Sequence, residues 1–116
     1  MIHPNEVLGE LREPAHELRE HIPDVIGAYA DMQRAVMTDG ALPSKTKELI
    51  ALAIAVTREC DGCIASHARG AARRGATEVE VAEALGVAVL MNGGPGTVWA
   101  PRALAAFREL AGPPES

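Results

Sequence analysis

Aromatic side chains are scarce in this chain, whose 116 residues include one Trp, one Tyr and one Phe. Hydrophobic residues still make up 47% of the sequence, so its core must be built from Ala, Leu, Val and Ile. These side chains bury less area than aromatic rings, at about 25 cal/mol per Å² of apolar surface. The segment LGVAVLM, residues 85–91, has no polar face. We therefore expect a homo-oligomer whose interface includes part of residues 79–107.

A strong basic charge and a long apolar run are also lacking. The formal net charge is −5, which argues against a nucleic-acid partner, because phosphates are bound through clustered Lys and Arg. No helix-like segment is long and uninterrupted enough to span a bilayer, which argues against a membrane partner. Residues 1–13 are acidic where a signal peptide would be basic and then apolar. We expect a cytoplasmic protein and one domain over residues 1–116.

Hydrophobic periodicity predicts an all-α fold of five or six helices, with no strand and no internal repeat. The first helix is expected over residues 4–21, with a kink or a break at Pro14. The second should run from Pro23 to about Thr38, where an apolar face ends in turn residues. Ser44 is expected to cap a third helix, from Lys45 to Arg58, which is apolar enough to be buried.

Start and stop signals place the remaining helices. Arg73, Arg74 and Gly75 are typical of a helix end, because cations complement the helix dipole and glycine adopts the left-handed cap. An anion site at the two arginines is the alternative interpretation. Thr77 and Glu80 fit a capping box that begins another helix. Residues 92–96 predict a turn or a bend before a last helix over residues 97–110, and the tail from Gly112 should be loosely held.

The chain has only two cysteines, Cys60 and Cys63, and His67 follows four residues after the second. In a helix that begins near the cysteines, these three residues lie at i, i+3 and i+7 and share one face. Glu48 is an isolated carboxylate at the head of the preceding apolar helix. If the two helices fold back on each other, Glu48 approaches that face. A thiol pair, an imidazole and a carboxylate are the candidate functional cluster.

The cysteine spacing suits redox chemistry. A thiolate attacks where a thiol does not, and both a helix N-terminus and a nearby imidazole favour the thiolate. Cys63 lies in the first turn, one turn before His67, and so has both influences. Cys60 is placed to capture an oxidised Cys63, since a sulfenic acid condenses with a neighbouring thiol to a disulfide.

Three other interpretations of the pair stay open on spacing alone. Zinc would use Cys60, Cys63, His67 and also Glu48, although no second Cys/His pair occurs at ligand spacing. A structural disulfide would close too short a loop to stabilise much and would tend to be reduced in the cytoplasm. Two ordinary buried cysteines are the third possibility.

The residues of this segment resemble those of the alkylhydroperoxidase D and carboxymuconolactone decarboxylase superfamily. The resemblance covers about residues 24–110 and rests on the Glu48, Cys60-Asp-Gly-Cys63 and His67 spacing. The surrounding sequence is also similar, in the segments LPSKTKELIALAIAV, CIASHARGAARRGATEVEVAEAL and GGPGTVWAPRAL. It implies an all-helical bundle that assembles into trimers or hexamers, with the CxxC pair at the start of a central helix.

The resemblance also implies an activity and roles. It implies a peroxidase without a cofactor, in which Cys63 attacks a small hydroperoxide and Cys60 resolves the product. His67 and Glu48 would form the proton relay, and a dithiol reductant, such as a lipoyl-bearing protein, would regenerate the pair. The peroxidase type commonly carries a histidine directly before the second cysteine, where this chain has Gly62, so we expect a modest rate.

Two further function classes remain beside the peroxidase. The decarboxylase branch of the superfamily acts on a lactone acid and generally lacks the CxxC pair. The other class is a non-catalytic helical oligomer whose two thiols sense redox state or bind metal.

Overall fold

The computed structural model describes residues 2–112, which form six helices and no strand. In chain order they are α1 (Pro4–His21), α2 (Pro23–Met37), α3 (Ser44–Thr57), α4 (Asp61–Arg73), α5 (Glu78–Asn92) and α6 (Gly94–Ala111). Helix α4 is central, because it packs against α1, α3 and α6. The predicted all-α class, with the CxxC pair at the start of a central helix, is confirmed. The tail expected to be loose lies mostly outside the described residues.

The core lies between α3, α4, α5 and α6 and is built mainly from small and aliphatic side chains. Phe107 is the one aromatic residue among the buried core residues of the described chain. Alanines of four helices let the helix backbones approach closely. The buried hydrophobic residues of these helices are Leu52, Ala55, Val56, Ile64, Ala65, Ala68, Ala71, Val81, Leu85, Ala88, Ala100, Ala103, Ala106 and Phe107.

Helix α1 runs without a break through Pro14, so the expected division into two helices is wrong, and a kink at Pro14 stays a prediction. Proline takes the φ of a helix, and its cost comes from the bond that it cannot donate to the carbonyl four residues earlier. That carbonyl belongs to Glu10, which is exposed. Because water can bind the carbonyl there, the helix continues.

The start of α3 also differs from the expectation. Pro43 is the N-cap residue, and Ser44 is already helical. The backbone N–H of Ser44 donates to Asp39 Oδ1 at 2.6 Å, so the acceptor for this helix start comes from the preceding loop. The Ser44 hydroxyl is therefore available for another partner, which proves to be an arginine at the end of α4.

The capping signals around α5 are observed. Thr77 Oγ1 accepts from the Glu80 N–H at 3.1 Å, and Glu80 Oε1 accepts from the Thr77 N–H at 2.9 Å. Gly93 separates α5 from α6 with a φ of 64°. Helix α6 begins at Gly94, earlier than the expected start at residue 97, because Pro95 occupies its first turn.

Many large apolar side chains of α2 and α5 are exposed. The exposed side chains of α2 include Val25, Tyr29, Met32 and Val36, and those of α5 include Val87, Leu90 and Met91. The apolar face predicted for α2 thus points mostly away from the protomer's own core. Within residues 2–112, no helix combines the length and the apolar character needed to cross a membrane.

Candidate functional site

A tight reversal between α3 and α4 brings the predicted site residues together. Helix α3 ends at Thr57 and α4 begins at Asp61. Glu59 takes a left-handed conformation, with a φ of 53°, and the Cys60 N–H bonds back to Ala55 O at 3.2 Å. The two helices therefore pack side by side, and the first turn of α3 lies beside the later turns of α4.

Cys60 and Cys63 form a disulfide, with their Cα atoms 5.2 Å apart. Cys60 is the N-cap residue of α4, and its Sγ accepts a hydrogen bond from the Cys63 N–H at 3.2 Å. Cys63 is exposed, whereas Cys60 is half-buried. The pair therefore sits at the helix N-terminus, where partial positive charge favours a thiolate.

Glu48 and His67 form a hydrogen-bonded pair across the α3–α4 interface. Glu48 Oε2 lies 2.9 Å from His67 Nδ1. The side chain of Glu48 is 6% exposed and that of His67 is 24% exposed, so the bond is largely shielded from water. Glu48 is the buried carboxylate that the isolated acid of the third helix suggested.

Arg74 is a further partner of Glu48. Its Nη1 lies 3.7 Å from Glu48 Oε1, and its Nε donates to the Ser44 hydroxyl. The sequence interpretation assigned this arginine to helix-dipole complementation, and Arg74 is indeed the C-cap residue of α4. Its contact with Glu48 was missed. The available signal was its spacing of seven residues from His67, which places both on one face of α4.

The structure shows two contacts among the four predicted residues: the Cys60–Cys63 disulfide and the Glu48–His67 hydrogen bond. Within the part of the chain that it describes, no hydrogen bond joins His67 to either sulfur. His67 and Cys63 are instead related by their i, i+4 positions on α4. In this oxidised state neither sulfur carries a proton to exchange. The catalytic roles of Cys60, Cys63, His67 and Glu48 remain predictions.

A cleft of about 200 Å³ lies beside Glu48 and Arg74, near the C-terminal end of α4. It is lined by Ala30, Gln33, Arg34 and Met37 of α2 together with Glu48 and Arg74. The carboxylate that binds His67 thus also borders a small space between helices, lined by both polar and apolar side chains. Among residues 2–112, no three His, Cys, Asp or Glu side chains are grouped as metal ligands, so the geometry adds nothing to the zinc interpretation.

The helix order and the paired site can be compared with known proteins. A sequence profile of the carboxymuconolactone decarboxylase family matches residues 23–108. The chain belongs to this family. The matched region contains all four predicted site residues and leaves out the whole of α1.

Relatives and solved structures agree with this membership. An uncharacterized protein of Cupriavidus necator is 39% identical over 103 residues, which span 89% of this chain and 91% of that protein. The crystal structure of an apo carboxymuconolactone decarboxylase family protein from Legionella pneumophila has a TM-score of 0.91 and 37% identity, covering 94% of this chain and 97% of its own. A Thermotoga maritima protein has a TM-score of 0.71 and 30% identity, over 82% and 89% of the two chains.

Proposed function

We propose that this carboxymuconolactone decarboxylase family protein is a thiol-dependent oxidoreductase that reduces small hydroperoxides through Cys60 and Cys63. The observation that carries the proposal is the hydrogen bond between the buried Glu48 and the half-buried His67, which lies one helical turn after the CxxC disulfide. A carboxylate can only accept, so His67 Nδ1 carries the ring proton in the neutral imidazole. His67 Nε2 then has a free lone pair with which to take a thiol proton.

The first half of the cycle consumes the peroxide. With the pair reduced, the Cys63 thiol gives its proton to His67, and the thiolate attacks the outer oxygen of the hydroperoxide. The O–O bond breaks, Cys63 becomes a sulfenic acid, and the alkoxide takes the proton back from His67 to leave as an alcohol. Glu48 stabilises the imidazolium that forms in between.

The second half restores the thiols. The Cys60 thiol attacks the Cys63 sulfenic acid, the S–S bond forms, and the hydroxyl leaves as water with the Cys60 proton. A dithiol then returns two electrons and two protons to the pair by thiol–disulfide exchange and is itself oxidised to a disulfide. A lipoyl-bearing protein is the reductant that we propose, and the working form is a trimer or a hexamer in the cytoplasm.

A free-thiol count before and after one equivalent of hydroperoxide tests the activity. The reduced wild-type protein should lose both thiols, and Cys60→Ser should stop at a sulfenic acid that a dimedone-type probe traps. Cys63→Ser should not consume peroxide, and His67→Ala should raise the pH at which Cys63 is alkylated. If peroxide leaves both wild-type thiols intact, the peroxidase proposal fails. If only Cys63→Ser gives trapped sulfenic acid, the two roles are reversed.

The family match supports one other candidate, decarboxylation of a lactone acid. That reaction has no need of the thiols, so a variant with both cysteines replaced by serine should still turn over the lactone acid. Loss of peroxide reduction without any lactone turnover in that variant would favour the oxidoreductase.

A further inference from the structure

The Glu48 carboxylate fits against a gap in the side chains of α4. A Cβ atom built on Gly70 would lie 2.5 Å from Glu48 Oε2 and 2.7 Å from Oε1. Real Cβ atoms essentially never approach other atoms below 3.0 Å. The nearest atoms around that position all belong to the Glu48 carboxyl group. The missing side chain of Gly70 therefore leaves room for this carboxylate in particular.

A glycine at this position makes the helix less stable than alanine would, so its presence needs a physical explanation. Gly70 is a buried residue inside α4, and glycine inside a helix is about 0.5–1 kcal/mol less favourable than alanine. No turn or left-handed conformation requires it, since its φ is not positive. The three atoms nearest to an added Cβ all belong to Glu48, so the contact with this side chain is what alanine would disturb first.

Three residues of α4 together surround the carboxylate. His67, Gly70 and Arg74 lie at i, i+3 and i+7, and so share one face of the helix. His67 Nδ1 holds Oε2, Arg74 Nη1 lies near Oε1, and Gly70 lets the carboxyl group reach the helix surface between them. Arg34 of α2 is the other charged residue lining the adjacent cleft.

We infer that Gly70 is a positioning residue, which admits the Glu48 carboxylate to the surface of α4 and so holds His67 in the orientation needed to accept the Cys63 proton. The catalytic meaning of this inference rests on the proposed function. Its physical content does not, because it concerns where the carboxylate stands. A methyl group at Gly70 would push away the end of a flexible side chain and leave the backbone in place.

Gly70→Ala tests the inference, and Gly9→Ala is its matched control, since a Cβ on Gly9 in α1 meets nothing within 4 Å. Both are made in the Cys60→Ser background, so that only Cys63 reacts. The measurement is the rate of Cys63 alkylation by iodoacetamide against pH. We expect Gly70→Ala to fold and to move the alkylation profile to higher pH, and Gly9→Ala to leave it unchanged.

A second pair of variants separates positioning from a general effect on the helix. In a Glu48→Ala background the carboxylate is gone, so Gly70→Ala should cause no further shift of the alkylation profile. Gly70→Ala should also raise the urea midpoint of the Glu48→Ala protein. In the protein that keeps Glu48, Gly70→Ala should lower the urea midpoint or leave it unchanged. An unchanged profile for Gly70→Ala beside Glu48, or an equal shift in both backgrounds, would overturn the inference. Because alkylation needs no peroxide, failure of the proposed function would show separately, in the free-thiol count.

Discussion

The side chain of Leu11 lies directly over Gly62, so that a Cβ on Gly62 would meet Leu11 Cδ1 at 3.1 Å. Leu11 belongs to α1, and Gly62 lies between the two cysteines at the start of α4. The position where the peroxidase type commonly carries a histidine is therefore covered by a leucine from the first helix. The absence of that imidazole is linked to packing against α1.

Introducing the histidine should thus depend on Leu11. Gly62→His alone should lower the free energy of unfolding by about 1–3 kcal/mol, the usual cost of overpacking. Gly62→His with Leu11→Ala should recover most of that stability, because Leu11 is already 47% exposed and its loss is cheap. Urea denaturation of the two single variants and the double variant measures this coupling. Additive effects of the two changes would show that Leu11 does not restrict position 62.

Removing the charge of Glu48 should separate its chemical role from its structural one. Glu48→Gln keeps an oxygen that can accept from His67 Nδ1, so the free energy of unfolding should fall by about 1 kcal/mol or less. Peroxide reduction should fall by about 10²-fold, since the imidazolium loses its stabilising charge. Stopped-flow peroxide consumption and thermal unfolding of the same preparation provide the two measurements.

A purely structural role for Glu48 would be to stabilise the start of α3 through the helix dipole, although Glu48 lies beyond the first turn of that helix. That role is worth about 0.3–1 kcal/mol and would leave thiol reactivity unchanged. A Glu48→Gln protein that is slightly less stable but alkylates and reduces peroxide like the wild type would establish it.

Protonation of Glu80 should lower the free energy of unfolding in acid. The N–H of Thr77 and the ammonium group of Lys45 hold the pKa of Glu80 below its usual range. A lowered pKa in the folded state means that the ionised form stabilises the fold at neutral pH. This contribution is lost as the pH falls below about 4 and the carboxylate is protonated.

Glu80→Gln should therefore flatten the acid limb of the plot of unfolding free energy against pH. Glu83→Gln is the control, because it removes the same charge from the same helix without touching the capping box. Urea midpoints between pH 2 and pH 7, set to bracket the titration range of glutamate, report the difference. Equal changes in the two variants would assign the effect to net charge.

We propose that the exposed apolar surface of α2 and α5 is covered by other copies of this chain. Leu90 is 80% exposed on the protomer, so Leu90→Asp should leave the fold intact and shift the sedimentation profile to smaller species. Val89→Asp should dissociate the assembly or unfold the protein, because Val89 is partly buried against the core and an unpaired carboxylate removed from water costs several kcal/mol. A wild-type protein that sediments as a monomer at micromolar concentration would contradict the proposal.

Local signals predicted most of the fold. The capping box of Thr77 and Glu80 and the left-handed Gly75 depend only on neighbouring residues, and both occur as expected. The uninterrupted passage of α1 through Pro14 was not predictable in the same way. It depends on whether the unbonded carbonyl faces water, which tertiary structure decides.

In the candidate site too, relationships within one helix were predictable from the sequence, and contacts between helices were not. The spacing of Cys60, Cys63 and His67 shows that they share a face, because they lie on one helix. The contribution of Gly70 could not be read from the sequence, since it depends on a close approach between α3 and α4. Only the packed structure shows that the space beside this glycine is filled by a carboxylate from another helix.

If the pair works as proposed, reductive opening of the Cys60–Cys63 bond should have a direction. Because Cys63 is the exposed residue of the pair and Cys60 is half-buried, we expect an incoming thiolate to attack the Cys63 sulfur. Attack there expels Cys60 as the leaving group, and a leaving sulfur departs faster when its thiolate is stabilised. The Cys63 N–H already points at Cys60 Sγ, at the positive end of α4. We therefore expect the released thiolate to be Cys60, stabilised by a hydrogen bond from the Cys63 N–H, and the mixed disulfide to form on the exposed Cys63.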